Sequence, residues 1–294
     1  MMSFFHRTLA LFLAVTSVVT ALPTSNTPRD DVPIQGVGHA APPPPNPSAP
    51  KPRIVQVSPE ALAAAIANVT SRPPFPPAET VSFSPRTTPI PPWAGSSART
   101  ASSARGTLIG PRHVTTAKHC IPSDSSVSVK FQPAYDGKER FPSAYVTDVL
   151  APAAGASDQC NYKDDWAVVI LDTRLGDARG YMSYDIMPAS KADQAIFYSY
   201  GYPSDKSADV SKPYRQEAIT VAKKNSFKCD QYGPLNTNAD ANGGQSGSPI
   251  WLPPDANGVR TMYGVMSSSS ATATFFAGGE VWAGGIQYML SSYP

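Results

Sequence analysis

The sequence predicts an all-β fold for roughly the last two thirds of the chain. From about residue 106 onward, short runs rich in β-branched and aromatic residues alternate with turn signals. The turns are marked by pairs such as Gly110-Pro111, Asp136-Gly137, Pro203-Ser204 and Asn257-Gly258. Many short strands at nearly regular spacing are typical of a β-sandwich or a β-barrel.

The predicted strands are short, and most of them are apolar or alternating. In chain order they are 106–109, 127–131, 144–150, 166–171, 195–200, 218–221, 248–252, 260–266 and 272–276. The apolar run at 166–171 is continuous, which is the pattern of a buried strand. Residues 287–292 predict a short closing helix.

The first third of the chain is different in composition. Residues 22–92 contain 19 of the 32 prolines, so this segment cannot bury a core and is expected to be extended or disordered. One stretch departs from that pattern. Ser58 as a cap, Pro59 at the first helical position and an alanine-rich body up to Val69 predict a short helix.

The amino-terminal 21 residues read as a secretory signal. His6-Arg7 gives a basic start, Leu9 to Val19 an apolar core, and Val19-Thr20-Ala21 a small-residue cleavage site. The apolar run is about 11 residues, whereas a bilayer needs about 20, so a secreted protein is favoured over an uncleaved anchor. The predicted organisation is a signal over 1–21, a pro-segment or linker over 22–96 and a folded domain over 97–294.

Composition narrows the classes of partner. The net charge is +2 and the basic residues are not clustered, which argues against nucleic acid as a partner. The three cysteines, Cys120, Cys160 and Cys229, have no paired spacing of the kind that binds zinc, so no metal site is expected.

Three segments carry the chemistry of a nucleophilic site. Gly244 to Pro249 places Ser246 between glycines, where a tight loop can present its hydroxyl. A hydroxyl is a weak nucleophile until a base takes its proton. His119 closes an apolar run and can supply the base, and Asp165 stands at the mouth of the strand 166–171 and can orient it.

These segments resemble the three motifs of the trypsin-like, chymotrypsin-fold serine endopeptidases. The residues that carry the resemblance are Thr116 to Cys120, Asp165-Trp166-Ala167 and Gly244 to Pro249, and Gly201-Tyr202-Pro203 is similar to a strand-end signature of the family. The branch most similar in these motifs includes the glutamyl endopeptidases and related secreted microbial enzymes. The resemblance covers roughly residues 97 to 294.

The resemblance implies a fold and an activity. It implies two six-stranded antiparallel barrels, with His119 and Asp165 from the first and Ser246 from the second. It also implies a secreted, monomeric serine endopeptidase that cleaves proteins or peptides without a metal or organic cofactor and without binding nucleic acid or membrane. Two alternatives are a non-catalytic binding protein on the same fold and a carrier that acts through its proline-rich arm.

The resemblance also assigns roles to single residues. His119 is the expected general base, with His113 as the competing histidine, and Asp165 is preferred over Asp164 as its partner. The backbone N–H groups of Gly244 and Ser246 are expected to form the oxyanion hole.

One position departs from trypsin. Trypsin-like zymogens are switched on when a new amino terminus pairs with an acid just before the nucleophile, and this chain has Gln245 there. An uncharged residue cannot form that ion pair, so this switch is not expected here.

The resemblance leaves two interpretations of the substrate pocket. Asp240 stands where an acid selects Arg or Lys in trypsin, or it braces the loop and leaves an apolar pocket with Ala241 and Met266. Met266 stands where glutamate-specific relatives have a histidine, which argues against glutamate selectivity. Ser267 matches a serine that supports the triad acid, and with Ser269 it completes the candidate pocket.

The resemblance also favours one disulfide. Cys160 and Cys229 lie in loops that border the same side of the substrate cleft in the family. We therefore expect the pair Cys160–Cys229, with Cys120–Cys160 as the alternative.

Overall fold

The computed structural model describes most of the chain from Ser48 to the carboxyl end. The described residues are 48–70, 93–98, 104–123, 127–135, 138–152, 159–206, 213–224, 226, 229 and 233–294, with only the backbone of 93–98 and 159–160. All of them belong to one compact unit that spans Pro45–Pro294. The predicted signal over 1–21 lies outside the described residues, as do the proline-rich stretches 22–47 and 71–92.

Two elements precede the barrels. The strand β1 (Arg53–Ile54) is followed by the helix α1 (Pro59–Thr70). The helix begins as its sequence predicts, because the Ser58 hydroxyl accepts a hydrogen bond from the backbone N–H of Ala61 at 3.2 Å.

Six antiparallel strands close into the first barrel. They are β2 (Trp93–Ala98), β3 (Ala104–Leu108), β4 (His113–Thr116), β5 (Val129–Gln132), β6 (Ala144–Leu150) and β7 (Ala167–Leu171). Their hydrogen-bonded order is β6-β5-β2-β3-β4-β7, and β6 pairs again with β7 to close the ring. The strand β1 is added outside the ring, parallel to β6.

The second barrel follows the short helix α2 (Leu175–Arg179) and the strand β8 (Ser183–Tyr184). Its strands are β9 (Ala195–Gly201), β10 (Tyr214–Thr220), β11 (Leu235–Thr237), β12 (Pro249–Leu252), β13 (Thr261–Ser269) and β14 (Thr274–Gly278). They run in the order β10-β9-β12-β13-β14-β11, and β8 pairs with β13. A bridge between Val221 and Thr237 joins the two ends of the sheet.

The carboxyl-terminal helix α3 (Glu280–Ser292) packs against α1. Gly284 allows this close approach, because a Cβ there would lie 2.5 Å from Cγ1 of Ile66. On the same helix, a Cβ at Gly285 would lie 2.5 Å from the Trp166 ring. The helix is therefore held between α1 and the first barrel.

The buried apolar residues form three clusters. One fills the first barrel and includes Leu108, Phe131 and Leu171, and a second fills the second barrel and includes Phe197, Ile250 and Phe276. The third contains Trp166, Trp251 and Trp282, with Val69 of α1. The segment 48–70 thus contributes to the core of the folded unit, so the expectation that residues 22–92 cannot bury a core is wrong for this part.

The predicted fold class is confirmed, since the structure consists of two six-stranded antiparallel barrels with a carboxyl-terminal helix. The helix starts earlier than predicted, at Glu280. The sequence did not indicate this start because Gly284 and Gly285 are poor helix formers, but close packing requires glycine at both positions. The predicted domain division between 96 and 97 passes through β2, which begins at Trp93.

Candidate active site

The fold brings His119 and Asp165 together at neighbouring strand ends. The strands β4 and β7 pair in register from His113 opposite Ile170 to Thr116 opposite Ala167. His119 lies just after β4 in a short 3₁₀ helix, and Asp165 lies just before β7. The antiparallel pairing therefore places the two side chains at the same edge of the first barrel.

The Asp165 carboxylate is held by three hydrogen bonds. The Nδ1 atom of His119 lies 2.7 Å from Oδ2, and the backbone N–H of His119 donates to Oδ1 at 3.0 Å. The Ser267 hydroxyl donates to the same Oδ2 at 2.6 Å. The carboxylate thus fixes both the ring and the backbone of His119.

The same contacts change the proton affinity of the imidazole. The hydrogen bond to Asp165, followed by one with the Cys120 thiol, raises the pKa of His119 to about 10. The His119 side chain is 47% exposed. An imidazole that is oriented in this way and partly exposed can exchange a proton with a substrate.

The two competing residues have other partners. The Asp164 carboxylate pairs with the Lys163 ammonium group at 2.8 Å. His113 is 1% exposed, and its Nε2 lies 3.2 Å from the backbone carbonyl of Met289 in α3. Burial lowers the pKa of His113, which is consistent with a neutral structural residue.

Ser246 lies in the loop before β12, and its backbone is fixed by both barrels. Its carbonyl accepts the N–H of Arg105 at 2.8 Å, and the N–H of Gly247 donates to the carbonyl of Met266 at 2.8 Å. Gly247 has φ +81°, and a Cβ there would clash with the Arg105 carbonyl oxygen. Only glycine fits this position, which locks the serine loop against β3.

Two backbone donors of this loop stay unused. Within the described residues, the N–H groups of Gly244 and Ser246 make no hydrogen bond, whereas those of Gln245, Gly247 and Ser248 each do. Gly244 has φ +88°, a conformation that favours glycine. Two free donors beside a serine can stabilise a negative oxygen.

Among the described contacts, the Ser246 hydroxyl has no hydrogen bond to His119. Such bonds are often long in the absence of substrate and tighten when it binds. A side-chain link between the two barrels is made by Ser267, which follows Met266 on β13 and donates to Asp165.

A cleft of about 490 Å³ opens beside the histidine and the aspartate. Its walls combine the histidine segment, the turn before β7 and the middle of β13, and the lining residues are Lys118, His119, Asn161, Tyr162, Asp164, Asp165, Ser267 and Ser268. No sequence signal assigned Lys118, Asn161, Tyr162 or Ser268 to the cleft, although each lies in or within four residues of a motif. The Tyr162 ring stacks on Phe275 at 5.1 Å between centroids.

The other candidate pocket residues do not line this cleft. Met266 is 3% exposed within the core of the second barrel, and Ala241 packs against the same core. Asp240 and Ser269 are exposed. The backbone N–H of Asp240 donates to Oε1 of Gln216 at 3.0 Å, so this part of the loop is braced through its backbone.

The structure decides one of the two disulfide alternatives. Cys120 is a free cysteine, so the alternative pair Cys120–Cys160 is not formed. The side chain of Cys160 lies outside the described residues.

The comparisons with known proteins agree with this geometry. The family model described as Trypsin matches residues 81–277, which is more than half of the chain. The chain therefore belongs to the trypsin family. The predicted resemblance to the trypsin-like family is thereby confirmed.

One curated relative is the glutamyl endopeptidase of Bacillus licheniformis, which is 32% identical over 155 residues. The match covers 51% of this chain and 45% of the relative, so the chain spans about half the length of the curated relative it matches.

Two solved structures share the fold. A Glu endopeptidase in complex with MPD has a TM-score of 0.54 and 23% identity, with 72% of this chain and 96% of that chain covered. Human heparin binding protein has a TM-score of 0.52 and 18% identity, with 72% of this chain and 95% of that chain covered. At these identities the likeness concerns the fold alone, and the chemistry has to be argued from the site.

Within the part of the chain that is described, no helix is long and apolar enough to cross a membrane.

Proposed function

We propose that this protein is a serine endopeptidase that cleaves peptide bonds through an acyl-enzyme. The observation that carries the proposal is the Asp165 carboxylate, which lies 2.7 Å from Nδ1 of His119 and also accepts the Ser267 hydroxyl. In this arrangement Asp165 orients the ring and stabilises its protonated form, and Ser246 lies in the adjoining loop.

Each residue then has one task. His119 takes the proton of the Ser246 hydroxyl as the oxygen attacks the carbonyl carbon, and the carbonyl oxygen becomes negative. The N–H groups of Gly244 and Ser246 stabilise that oxygen. His119 gives the proton to the leaving amine, and a water molecule, activated by His119 in turn, releases the acyl group from Ser246.

The test combines a variant with a covalent probe. Ser246→Ala should keep the fold and lose about 10⁶ in kcat, the loss seen when a triad serine is removed. A serine-directed phosphonylating reagent should label the parent at Ser246 and leave the variant unlabelled. Near-parental activity in the folded variant would overturn the proposal.

The same probe separates the alternative function. A non-catalytic binding protein on this fold would not be expected to react with the phosphonylating reagent at a single serine. Such a protein usually lacks a member of the triad, and none is missing in this chain. This is why we favour the enzyme.

We propose an apolar substrate preference over a basic one. The exposure of Asp240 and the bracing of its backbone by Gln216 support the loop-bracing reading. Met266, which offers no positive charge, argues against glutamate selectivity, although one relative is named a glutamyl endopeptidase. The experiment is cleavage of matched peptides ending in Phe, Arg and Glu by the parent and by Asp240→Ala. If Asp240→Ala specifically lost cleavage after Arg, the other reading, in which Asp240 selects basic residues, would be favoured instead.

We further propose that the protein is secreted, acts as a monomer on protein or peptide substrates, and contains the disulfide Cys160–Cys229. The disulfide-bonded state of Cys229 and the free state of Cys120 support this pairing. Mass spectrometry of the secreted protein, with and without reduction, tests the signal cleavage after Ala21 and the pairing together.

A further inference from the structure

The loop before Ser246 is closed by the side chain of its own residue Gln245. The Oε1 atom of Gln245 accepts the backbone N–H of Asn242 at 2.8 Å. In the opposite direction, the backbone N–H of Gln245 donates to the carbonyl of Asn242 at 3.3 Å. Residues 242 to 245 therefore form a ring with one bond in each direction.

The rest of the loop is tied to the second barrel. The side chain of Asn242 accepts the N–H of Gly243 at 2.7 Å, and the carbonyl of Gly243 accepts the N–H of Ser204 at 2.9 Å. Gln245 is 7% exposed and packs over Gly201 at the end of β9, where a Cβ would lie 3.0 Å from its Cγ. The glycine of the Gly201-Tyr202-Pro203 signature thus makes room for Gln245.

These contacts determine the direction of the peptide groups on either side of Gln245. Because the polar groups of residues 242 and 243 are held by these hydrogen bonds, the loop has little freedom to rotate the N–H of Gly244. The N–H groups of Gly244 and Ser246 are the unused donors beside the nucleophile. An aligned donor stabilises a developing oxyanion only while its direction is kept.

We propose that Gln245 is a positioning residue that holds the oxyanion donors of Gly244 and Ser246 in place by accepting the Asn242 N–H. This inference rests on the proposed function. In trypsin, an acid at this position forms an ion pair with a new amino terminus. Here the uncharged side chain of Gln245 accepts a hydrogen bond within the loop instead, so the loop needs no ion pair to be ordered.

The test changes the acceptor and keeps the volume. Gln245→Met retains the packing against Gly201 and removes the oxygen, which leaves the Asn242 N–H without its partner. We expect kcat to fall about tenfold to hundredfold while KM changes less than about twofold, because the loss falls on the transition state. Gln245→Glu keeps an oxygen acceptor at the same place and should restore kcat to within about fivefold of the parent.

Two further variants make the result decisive. If Gln245→Met fails to fold, Gln245→Asn, which is polar but one methylene too short, serves in its place with the same expected loss. The matched control is Gln287→Met on α3, which removes the acceptor of the Tyr184 hydroxyl at 3.0 Å and should lower the melting temperature without changing kcat. All rates are taken per active site titrated with the phosphonylating reagent.

The outcomes separate the two levels of inference. A parent that does not react with the reagent overturns the proposed function. A reactive parent together with folded Gln245 variants of unchanged kcat overturns the positioning role alone. A fall in kcat that Gln245→Glu reverses, with KM changing less than about twofold throughout, supports it.

Discussion

The contact between α1 and α3 leads to a prediction about Gly284. A Cβ at this position would lie 2.5 Å from Cγ1 of Ile66 and 3.2 to 3.3 Å from its backbone N and Cα atoms. Ile66 is β-branched and has little rotamer freedom in a helix, so its side chain cannot turn away. Gly284→Ala should therefore force the two helices apart.

The expected magnitude comes from two opposing effects. Alanine in place of glycine inside a helix stabilises by about 1 kcal/mol when nothing obstructs it. Overpacking typically costs about 1–3 kcal/mol, and contact with the backbone as well as the side chain of Ile66 favours the upper half of that range. We expect a net loss of about 1–2 kcal/mol in the free energy of unfolding, or about 2–8 °C in melting temperature.

The assay is a double-mutant cycle in the whole chain, followed by urea and thermal unfolding. Ile66→Ala destabilises by itself, but it removes the obstructing Cγ1 atom, so adding Gly284→Ala in that background should be neutral or stabilising. The coupling energy should be about 1–3 kcal/mol. Gly285→Ala is the matched control: its Cβ would meet the Trp166 ring at 2.5 Å, so it should destabilise equally with or without Ile66.

One result would refute this reasoning. If Gly284→Ala raised the melting temperature as an unobstructed helix substitution does, and its effect added to that of Ile66→Ala, α1 would not pack on α3. Residues 48–70 would then lie outside the folded core, as the proline content of 22–92 suggests.

Two further predictions concern pH. Since His119 must be neutral to act as base and its pKa is raised, kcat/KM should rise with pH with a midpoint above 6.5, and Asp165→Asn should shift that midpoint down and lower the plateau by about 10⁴. A parental midpoint at or below 6.5 would contradict this. The pKa of His113 is lowered by burial, with Arg112 nearby. As pH falls, this histidine therefore becomes protonated in the unfolded chain at a higher pH than in the folded chain. The contribution of neutral His113 to the free energy of unfolding should be fully present above pH 6.5 and be lost as pH falls through the lowered pKa. In His113→Gln this pH-dependent loss should be absent. If the curves of urea midpoint against pH were parallel for the parent and for His113→Gln, this prediction would be wrong.

The three proposed catalytic residues, His119, Asp165 and Ser246, could be predicted from the sequence because their signals are local. A serine between glycines, a histidine at the end of a strand and an acid at the mouth of another each depend on neighbours within a few residues. The start of α1 was predictable for the same reason, since Ser58 and Pro59 cap the helix that they begin. Strand spacing likewise indicated the all-β class.

The partners of those residues are contacts between distant parts of the chain, and only the folded structure decides them. Asp164 and Asp165 are adjacent, yet one pairs with Lys163 and the other with His119, because β4 and β7 meet in a particular register. The early start of α3 is another case, since two glycines that weaken a helix locally are needed where helix and core come close. The attachment of β1 and α1 to the barrel could not be predicted from their proline-rich surroundings. The contacts that stabilise it are made with residues far away in sequence, such as those of β6 and α3, and no local pattern indicates them.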